Sequence, residues 1–125
     1  MQNSTIKINL SLDDQRMPDR IRWNATDSTS EEDRVAKAML LSFWDGEDKT
    51  ALRIDLWTKT MMVDEMADFF YQTFMSMADT YQRSTRSPEL SNDIKKFAKE
   101  FYQKFREGQM KGEESGIKHQ ETRNK

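Results

Sequence analysis

The strongest chemical signals in the sequence are carboxylates on two neighbouring segments. Asp45, Glu47 and Asp48 stand close together around a glycine, and a Ca²⁺ ion requires several such oxygens at a defined spacing around a tight turn. This cluster resembles a calcium loop only loosely, so a solvated turn is the favoured interpretation. Asp55 lies in the middle of an alternating apolar segment, where aspartate is disfavoured by β-propensity.

Asp55 has two interpretations. In a surface ion pair with Arg20, Arg22 or Arg53, it would contribute at most about 1 kcal/mol to stability. As a polar contact inside a protein interface, it would help to select a partner. We favour the surface ion pair and keep the interface as the alternative.

Motifs for catalysis and metal binding are missing from the sequence. There is no cysteine, which excludes disulfides, thiolate metal sites and a cysteine nucleophile. The four glycines form no phosphate-binding loop, and no serine stands in a Gly-x-Ser-x-Gly turn. The single histidine, His119, falls in the predicted tail and lacks the positioned partner of a general base. We therefore expect no enzymatic activity, no cofactor and no metal site.

The segment 35–45 fits either a strand, predicted at 36–45, or a helix. Ser28 and Glu31 could form a capping box for a helix. A strand is favoured, because Asp45 and Gly46 follow at once and a clearly alternating segment lies beyond them. The two segments then form a hairpin.

The apolar residues of this hairpin select its register. A four-residue loop at 46–49 would place Asp45 opposite Thr50. The apolar residues then share one face: Met39, Leu41, Phe43, Leu52, Ile54 and Leu56. A slip of one residue would turn them to the other side. The second face carries the candidate partner surface: Leu40, Trp44, Arg53, Asp55 and Trp57.

The second face is the most specific local signal. Tryptophan and arginine are enriched at binding hot spots, and such a patch is unusual on a surface left in water. Three arrangements stay open. The 26–35 loop or the tail could cover the face, the two helices could pack on opposite faces of the sheet, or a protein partner could bind.

Two further strands and two helices complete the predicted α+β fold. Apolar residues alternate over the strands and recur at helical spacing beyond them, while Ser87 and Pro88 suit the start of the second helix. We predict a four-stranded antiparallel meander followed by two amphipathic helices packed on one face. The predicted strands are 5–12, 20–26, 36–45 and 50–58, the helices are 62–84 and 88–107, residues 1–107 form a single domain, and 108–125 form a disordered polar tail.

Aromatic residues dominate the predicted core. The 125 residues include seven phenylalanines, three tryptophans and nine methionines, more large apolar side chains than a disordered chain carries. The expected aromatic core contains Phe43, Phe69, Phe70, Phe74, Phe97, Phe101 and Phe105.

Charge and hydropathy limit the classes of partner and the cellular location that we expect. Twenty basic and 22 acidic residues give a net charge of −2, which argues against a nucleic-acid partner. No apolar run approaches the roughly 20 residues that span a bilayer, and the first residues lack the pattern of a secretory signal. We expect a cytoplasmic protein without direct membrane insertion.

Several segments resemble the gliding motility protein GldC family of Bacteroidetes. The resemblance extends from about Ile6 to Phe105, and its most specific part is Leu52–Lys59. The resembling segments are Ala36–Asp45, Ala51–Lys59, Met62–Met66, Phe69–Phe70 and Met77–Tyr81. The resemblance implies a small accessory protein associated with gliding motility, in a family that has no assigned enzymatic activity, cofactor or catalytic residue.

The leading hypothesis is therefore a non-enzymatic interaction module for protein partners of the gliding or cell-envelope machinery. A small ligand-binding or enzymatic α+β domain is the alternative, which requires a pocket containing Asp55 or another buried carboxylate. A third hypothesis is a homodimer formed by apolar sheet faces related by a two-fold axis.

Overall fold

The computed structural model describes residues 2–26 and 33–115. Within these ranges the chain forms five strands and two helices: β1 (Ile6–Leu12), β2 (Pro18–Ala25), β3 (Arg34–Ala36), β4 (Ala38–Asp45), β5 (Thr50–Trp57), α1 (Val63–Thr85) and α2 (Pro88–Ser115). Every strand pair is antiparallel. The predicted α+β class with antiparallel strands and two helices is confirmed.

The chain divides into two compact units, Met1–Met61 and Met62–Lys125. The first unit contains the strands and the second contains the helices. The single domain over 1–107 and the packing of the helices on one face of a sheet stay predictions.

The strands form two sheets, so the prediction of one four-stranded sheet is wrong. One sheet has the order β1-β2-β3, and the other pairs β4 with β5. The cause is a bend at Lys37, which divides the expected strand 36–45. The Lys37 carbonyl accepts hydrogen bonds from the backbone nitrogen of Thr58 at 2.8 Å and from its hydroxyl at 3.0 Å. The choice of strand over helix for this segment is confirmed.

The three-stranded sheet follows the alternation of its apolar residues. Ile8 lies opposite Trp23, and Leu10 lies opposite Ile21, so these side chains share one face. Ile21 is buried, with 1% of its surface exposed. The Arg34 guanidinium lies 5.7 Å from the centre of the Trp23 ring, within the range of a cation–π contact.

The helical unit packs around one phenylalanine and several small residues. The Phe74 ring makes edge-on contacts with Phe70, Phe97 and Phe101, at centroid distances of 5.9, 5.5 and 5.5 Å. Ala78 and Ala98 are fully buried, which lets the two helix backbones approach closely. The hydroxyl of Ser91, on α2, donates a hydrogen bond of 2.7 Å to the Ala78 carbonyl on α1.

Three predictions about the helices and the core need correction. α2 continues through Gly108 and Gly112 to Ser115, because each interior glycine costs a helix only about 1 kcal/mol. The predicted disordered tail therefore begins too early, and its residues 116–125 lie outside the described residues. Phe43 and Phe97 are exposed, although apolar periodicity placed them in the core.

Candidate protein-docking surface

The β4–β5 hairpin brings the five predicted surface residues onto one face, called here the outer hairpin face (Leu40, Trp44, Arg53, Asp55 and Trp57). The register pairs Asp45 with Thr50, Leu40 with Asp55 and Trp44 with Ala51, as the sequence predicted. Directly paired residues in an antiparallel ladder point to the same side. The common face therefore follows from the register.

Arg53 and Asp55 form a two-pronged ion pair at the centre of this face. The Arg53 Nε and Nη2 atoms donate to the two Asp55 carboxylate oxygens, at 3.2 and 3.1 Å. The residues are two apart on β5, so their side chains point to the same side. Of the three arginines considered for Asp55, the structure selects Arg53. The pair is accessible, since 49% of the Arg53 side chain and 40% of the Asp55 side chain are exposed.

Trp44 and Trp57 flank the ion pair. Trp44 lies beside Ala51 at one end of β5, and Trp57 lies at the other end. Six residues of strand separate these positions by about 20 Å. The tryptophans are 68% and 59% exposed. A charged pair between two accessible indole rings can bind an apolar surface and orient a polar group at its centre.

The opposite face of the hairpin is also accessible. Phe43 is 60% exposed, Leu52 55% and Ile54 50%. The sequence predicted that these side chains share a face, which is confirmed. It also placed that face in the core beneath the helices. Within the strand unit the face is exposed. Periodicity identifies a face and does not tell what covers it.

Within the acidic cluster at the hairpin loop, the Asp45 carboxylate stabilises the turn. Asp45 Oδ1 accepts hydrogen bonds from the backbone nitrogens of Glu47 at 2.9 Å and Asp48 at 3.2 Å, which is an Asx-type turn. Among the residues that the structure describes, no group of three or more His, Cys, Asp or Glu side chains could hold a metal ion. His119 lies outside these residues.

No pattern in the sequence predicts the ion pair between Asp13 and Lys59. The Lys59 Nζ atom lies 2.6 Å from Asp13 Oδ2, and Asp13 Oδ1 accepts bonds from the backbone nitrogens of Gln15 and Met17, both at 2.9 Å. The Lys59 hydrogen bond, followed by that from Met17, lowers the pKa of Asp13. The same bond raises the pKa of Lys59. The run Asp13-Asp14-Gln15 is typical of a turn, but no local pattern indicates a partner 46 residues away.

Two open grooves lie on the helices. One, of about 570 Å³, follows a single face of α1 and includes Phe69, Met77 and Tyr81. The other, of about 400 Å³, includes Tyr71 and Tyr102, and a hydrogen bond to Asp68 raises the pKa of Tyr102. Neither groove includes Asp55 or another residue of the outer hairpin face.

Comparison with known families gives one match. A family model described as "Gliding motility-associated protein GldC-like" matches residues 18–107, which includes every strand from β2 to β5, all of α1 and most of α2. The chain belongs to this family. The GldC-like assignment associates the chain with gliding motility and agrees with the resemblance seen in the sequence. No curated protein and no solved structure matches the chain.

The GldC-like match covers the whole outer hairpin face, since Leu40 to Trp57 lie inside the matched range. It also covers Lys59, whereas Asp13 precedes it. In the described part of the chain, neither helix is long and apolar enough to cross a membrane.

Proposed function

We propose that this chain is a non-enzymatic, cytoplasmic accessory protein of gliding motility in a member of the Bacteroidetes. It acts as a small interaction module that binds a protein of the gliding or cell-envelope machinery. The GldC-like family match supports the association with motility. The binding surface in this proposal is the outer hairpin face.

One observation carries the choice of surface: two exposed tryptophans flank an accessible Arg–Asp pair on one sheet face. Tryptophan and arginine are the side chains most often found at the centre of interfaces. A patch of this kind on a surface left in water is unusual. A partner that covers both rings would remove a large apolar area from water.

The internal ion pair makes the centre of the face suitable for burial. Burying a lone charge is costly, whereas a charge that keeps its partner and its hydrogen bonds loses less on leaving water. Arg53 already donates two bonds to Asp55. Its remaining N–H groups can donate to a carbonyl or carboxylate of the partner, which gives direction to an otherwise apolar contact.

The test is complementation of motility. A strain of the encoding organism that lacks the gene is expected to spread poorly on a surface, and the wild-type gene is expected to restore spreading. The Trp44→Ala/Trp57→Ala variant is expected to restore little, because both apolar contacts of the proposed interface are gone. A purified variant in which a photo-crosslinking residue replaces Leu40 identifies the protein that the face contacts.

The matched control is Tyr81→Ala/Arg83→Ala, which removes an exposed aromatic residue and an exposed arginine from α1. This variant is expected to restore spreading fully. Cellular abundance and the far-UV circular dichroism spectrum must be equal for both variants. Equal spreading of the tryptophan variant and the wild type would overturn the assignment of the face.

A further inference from the structure

Besides its two faces, the hairpin has a third surface, the outer edge of β5. β5 stands at the end of the two-stranded sheet, and no strand among the described residues pairs with its other side. Seven of its eight residues are exposed. An edge strand presents a row of backbone N–H and C=O groups that another strand can pair with.

β5 lacks the usual features that protect an edge. It contains no proline, and its register with β4 runs over eight consecutive pairs without a bulge. Proteins often block an edge with a proline, a bulge or a lysine. The two charges on β5, Arg53 and Asp55, have opposite signs and neutralise each other.

The sequence of β5 is complementary to itself in one antiparallel register. If Ile54 lies opposite Ile54 of a second copy, then Arg53 lies opposite Asp55 of that copy. Leu52 then lies opposite Leu56, and Ala51 lies opposite Trp57. Opposite charges and apolar side chains placed directly across a ladder stabilise it. We infer that two copies of this chain associate through β5 and form a continuous four-stranded sheet in the order β4-β5-β5-β4.

The charges exclude the neighbouring registers. A shift that centres the pair on Arg53 places two arginines opposite each other, and centring on Asp55 places two carboxylates opposite each other. Like charges in directly opposite positions destabilise a strand pair. A shift of the second strand by one residue places Asp55 opposite Leu52 of the other copy. The apolar face of one strand then meets the charged face of the other. Of these neighbouring registers, the one centred on Ile54 satisfies both conditions.

The pairing also completes an otherwise small sheet. An isolated two-stranded sheet is marginally stable in water, and three or more strands with an apolar face are needed for independent stability. Pairing through β5 joins Phe43, Leu52 and Ile54 of one copy to the same residues of the other on one face. A second copy of this chain therefore fits the edge of β5 both in its charges and in its pattern of apolar residues.

The edges of β1 and β4 are weaker candidates for this contact. β1 has a register irregularity at Ser11/Leu12 and carries Lys7, both of which protect an edge. Its residues carry no pair of opposite charges that would select a register. On β4, the first four residues, Ala38–Leu41, are only partly accessible, and Asp45 has no cation on the same strand.

Sedimentation equilibrium of the full-length protein tests the association. The wild type is expected to reach the mass of a dimer, twice 14.8 kDa, at micromolar concentrations. Arg53→Asp alone and Asp55→Arg alone are each expected to weaken the dimer on the order of tenfold or more, because each places like charges across the ladder. A wild type that stays monomeric would overturn the inference.

Mixing the two single variants provides the decisive test of register. In a mixed pair, each substituted position again faces an opposite charge on the other chain, while neither chain regains its own Arg–Asp pair. The mixture is expected to form a dimer with an affinity close to that of the wild type. Arg83→Asp on α1 changes the net charge by the same amount as Arg53→Asp and is expected to leave the dimer intact. If the mixture forms a dimer with an affinity no higher than that of either single variant, the register is wrong.

A cysteine cross-link gives independent evidence, since the chain has no cysteine. Directly opposite Cα atoms lie about 4.5–5.5 Å apart, inside the range of about 4.4–6.8 Å that a disulfide spans. Ile54→Cys is therefore expected to form a covalent dimer on mild oxidation. In Leu52→Cys the two sulfur-bearing positions lie about 14 Å apart, so no cross-link is expected. Cross-linking of both variants to the same extent would contradict the proposed pairing.

The inference concerns the edge of β5 and goes beyond the proposed docking of a partner on the outer hairpin face. Trp44→Ala alone leaves every residue of β5 unchanged, and it is expected to remain dimeric while it restores less motility than the wild type. If the wild type is monomeric and the Trp44→Ala/Trp57→Ala variant still restores little spreading, the dimer inference is wrong and the docking proposal stands.

Discussion

Asp13 fixes the β1–β2 turn through its carboxylate and joins the turn to Lys59, two residues beyond the end of β5. The carboxylate accepts two backbone hydrogen bonds and pairs with Lys59. These interactions hold the pKa of Asp13 below its ordinary value of 3.8. A lowered folded-state pKa means that the stabilisation is present above the ordinary value and is lost as the pH falls through the folded-state value.

We predict that Asp13→Asn lowers the free energy of unfolding at pH 7. Below about pH 4 the free energy of unfolding is expected to fall less in this variant than in the wild type. Urea denaturation at pH 7, 4 and 3, followed by tryptophan fluorescence, measures both effects. The control is Asp14→Asn, the exposed neighbouring carboxylate, which is expected to behave as the wild type. An unchanged pH dependence in Asp13→Asn would show that the ion pair does not stabilise the fold.

Lys49 closes the β4–β5 loop in the left-handed region, with φ of 54°. Its backbone nitrogen donates to the Asp45 carbonyl at 2.8 Å, so the conformation is required by the turn. A side chain with a Cβ atom is strained there, and glycine is not. We predict that Lys49→Gly raises the free energy of unfolding by about 0.5–1 kcal/mol. Glu47→Gly, at a residue without a positive φ, is expected to give no gain in urea denaturation.

The α1–α2 contact depends on small side chains where the helix backbones approach. Ala78 and Ala98 have no exposed surface, so a larger side chain at either position must displace the opposite helix. We predict that Ala98→Leu lowers the free energy of unfolding by about 1–3 kcal/mol, measured by circular dichroism at 222 nm. Lys96→Leu, at an exposed position on the same helix, is the control and is expected to change stability by less than about 0.5 kcal/mol.

The β4–β5 hairpin shows how far sequence patterns predict the fold. Its register was predictable because apolar residues alternate on both strands and a one-residue slip would mix the two faces. The same alternation placed the five residues of the outer hairpin face together. Both properties depend only on the alternation of residues within each strand, which can be read directly from the sequence.

The bend at Lys37 and the end of α2 were not predictable in the same way. Ala36, Lys37 and Ala38 include no proline or glycine that would indicate an interruption, and the bend coincides with hydrogen bonds from Thr58, 21 residues away. Gly108 indicated a helix end but lies inside the helix. The exposure of Trp44 and Phe43 depends on which surfaces meet in three dimensions, which periodicity does not encode.

At the scale of the whole molecule, a small net charge accompanies many exposed apolar side chains. The formal net charge is −2 at pH 7, and the isoelectric point is about 5.5. Exposed apolar residues occur in both units, for example Phe43, Trp57, Met77 and Phe97. Proteins near zero net charge lose the repulsion that keeps such surfaces apart. Solubility is therefore expected to fall between pH 7 and pH 5.5.

Two glutamate variants separate the effect of net charge from that of the apolar face. Phe43→Glu and Asn92→Glu, the latter at an exposed position on α2, each change the formal net charge from −2 to −3, but only Phe43→Glu breaks the apolar face of the hairpin. Because Phe43 is 60% exposed, we predict a change in unfolding free energy of less than about 0.5 kcal/mol. Precipitation assays at pH 5.5 are expected to show a larger gain in solubility for Phe43→Glu than for Asn92→Glu. Equal gains would assign the loss of solubility to net charge alone, and strong destabilisation by Phe43→Glu would show that this face is buried in solution.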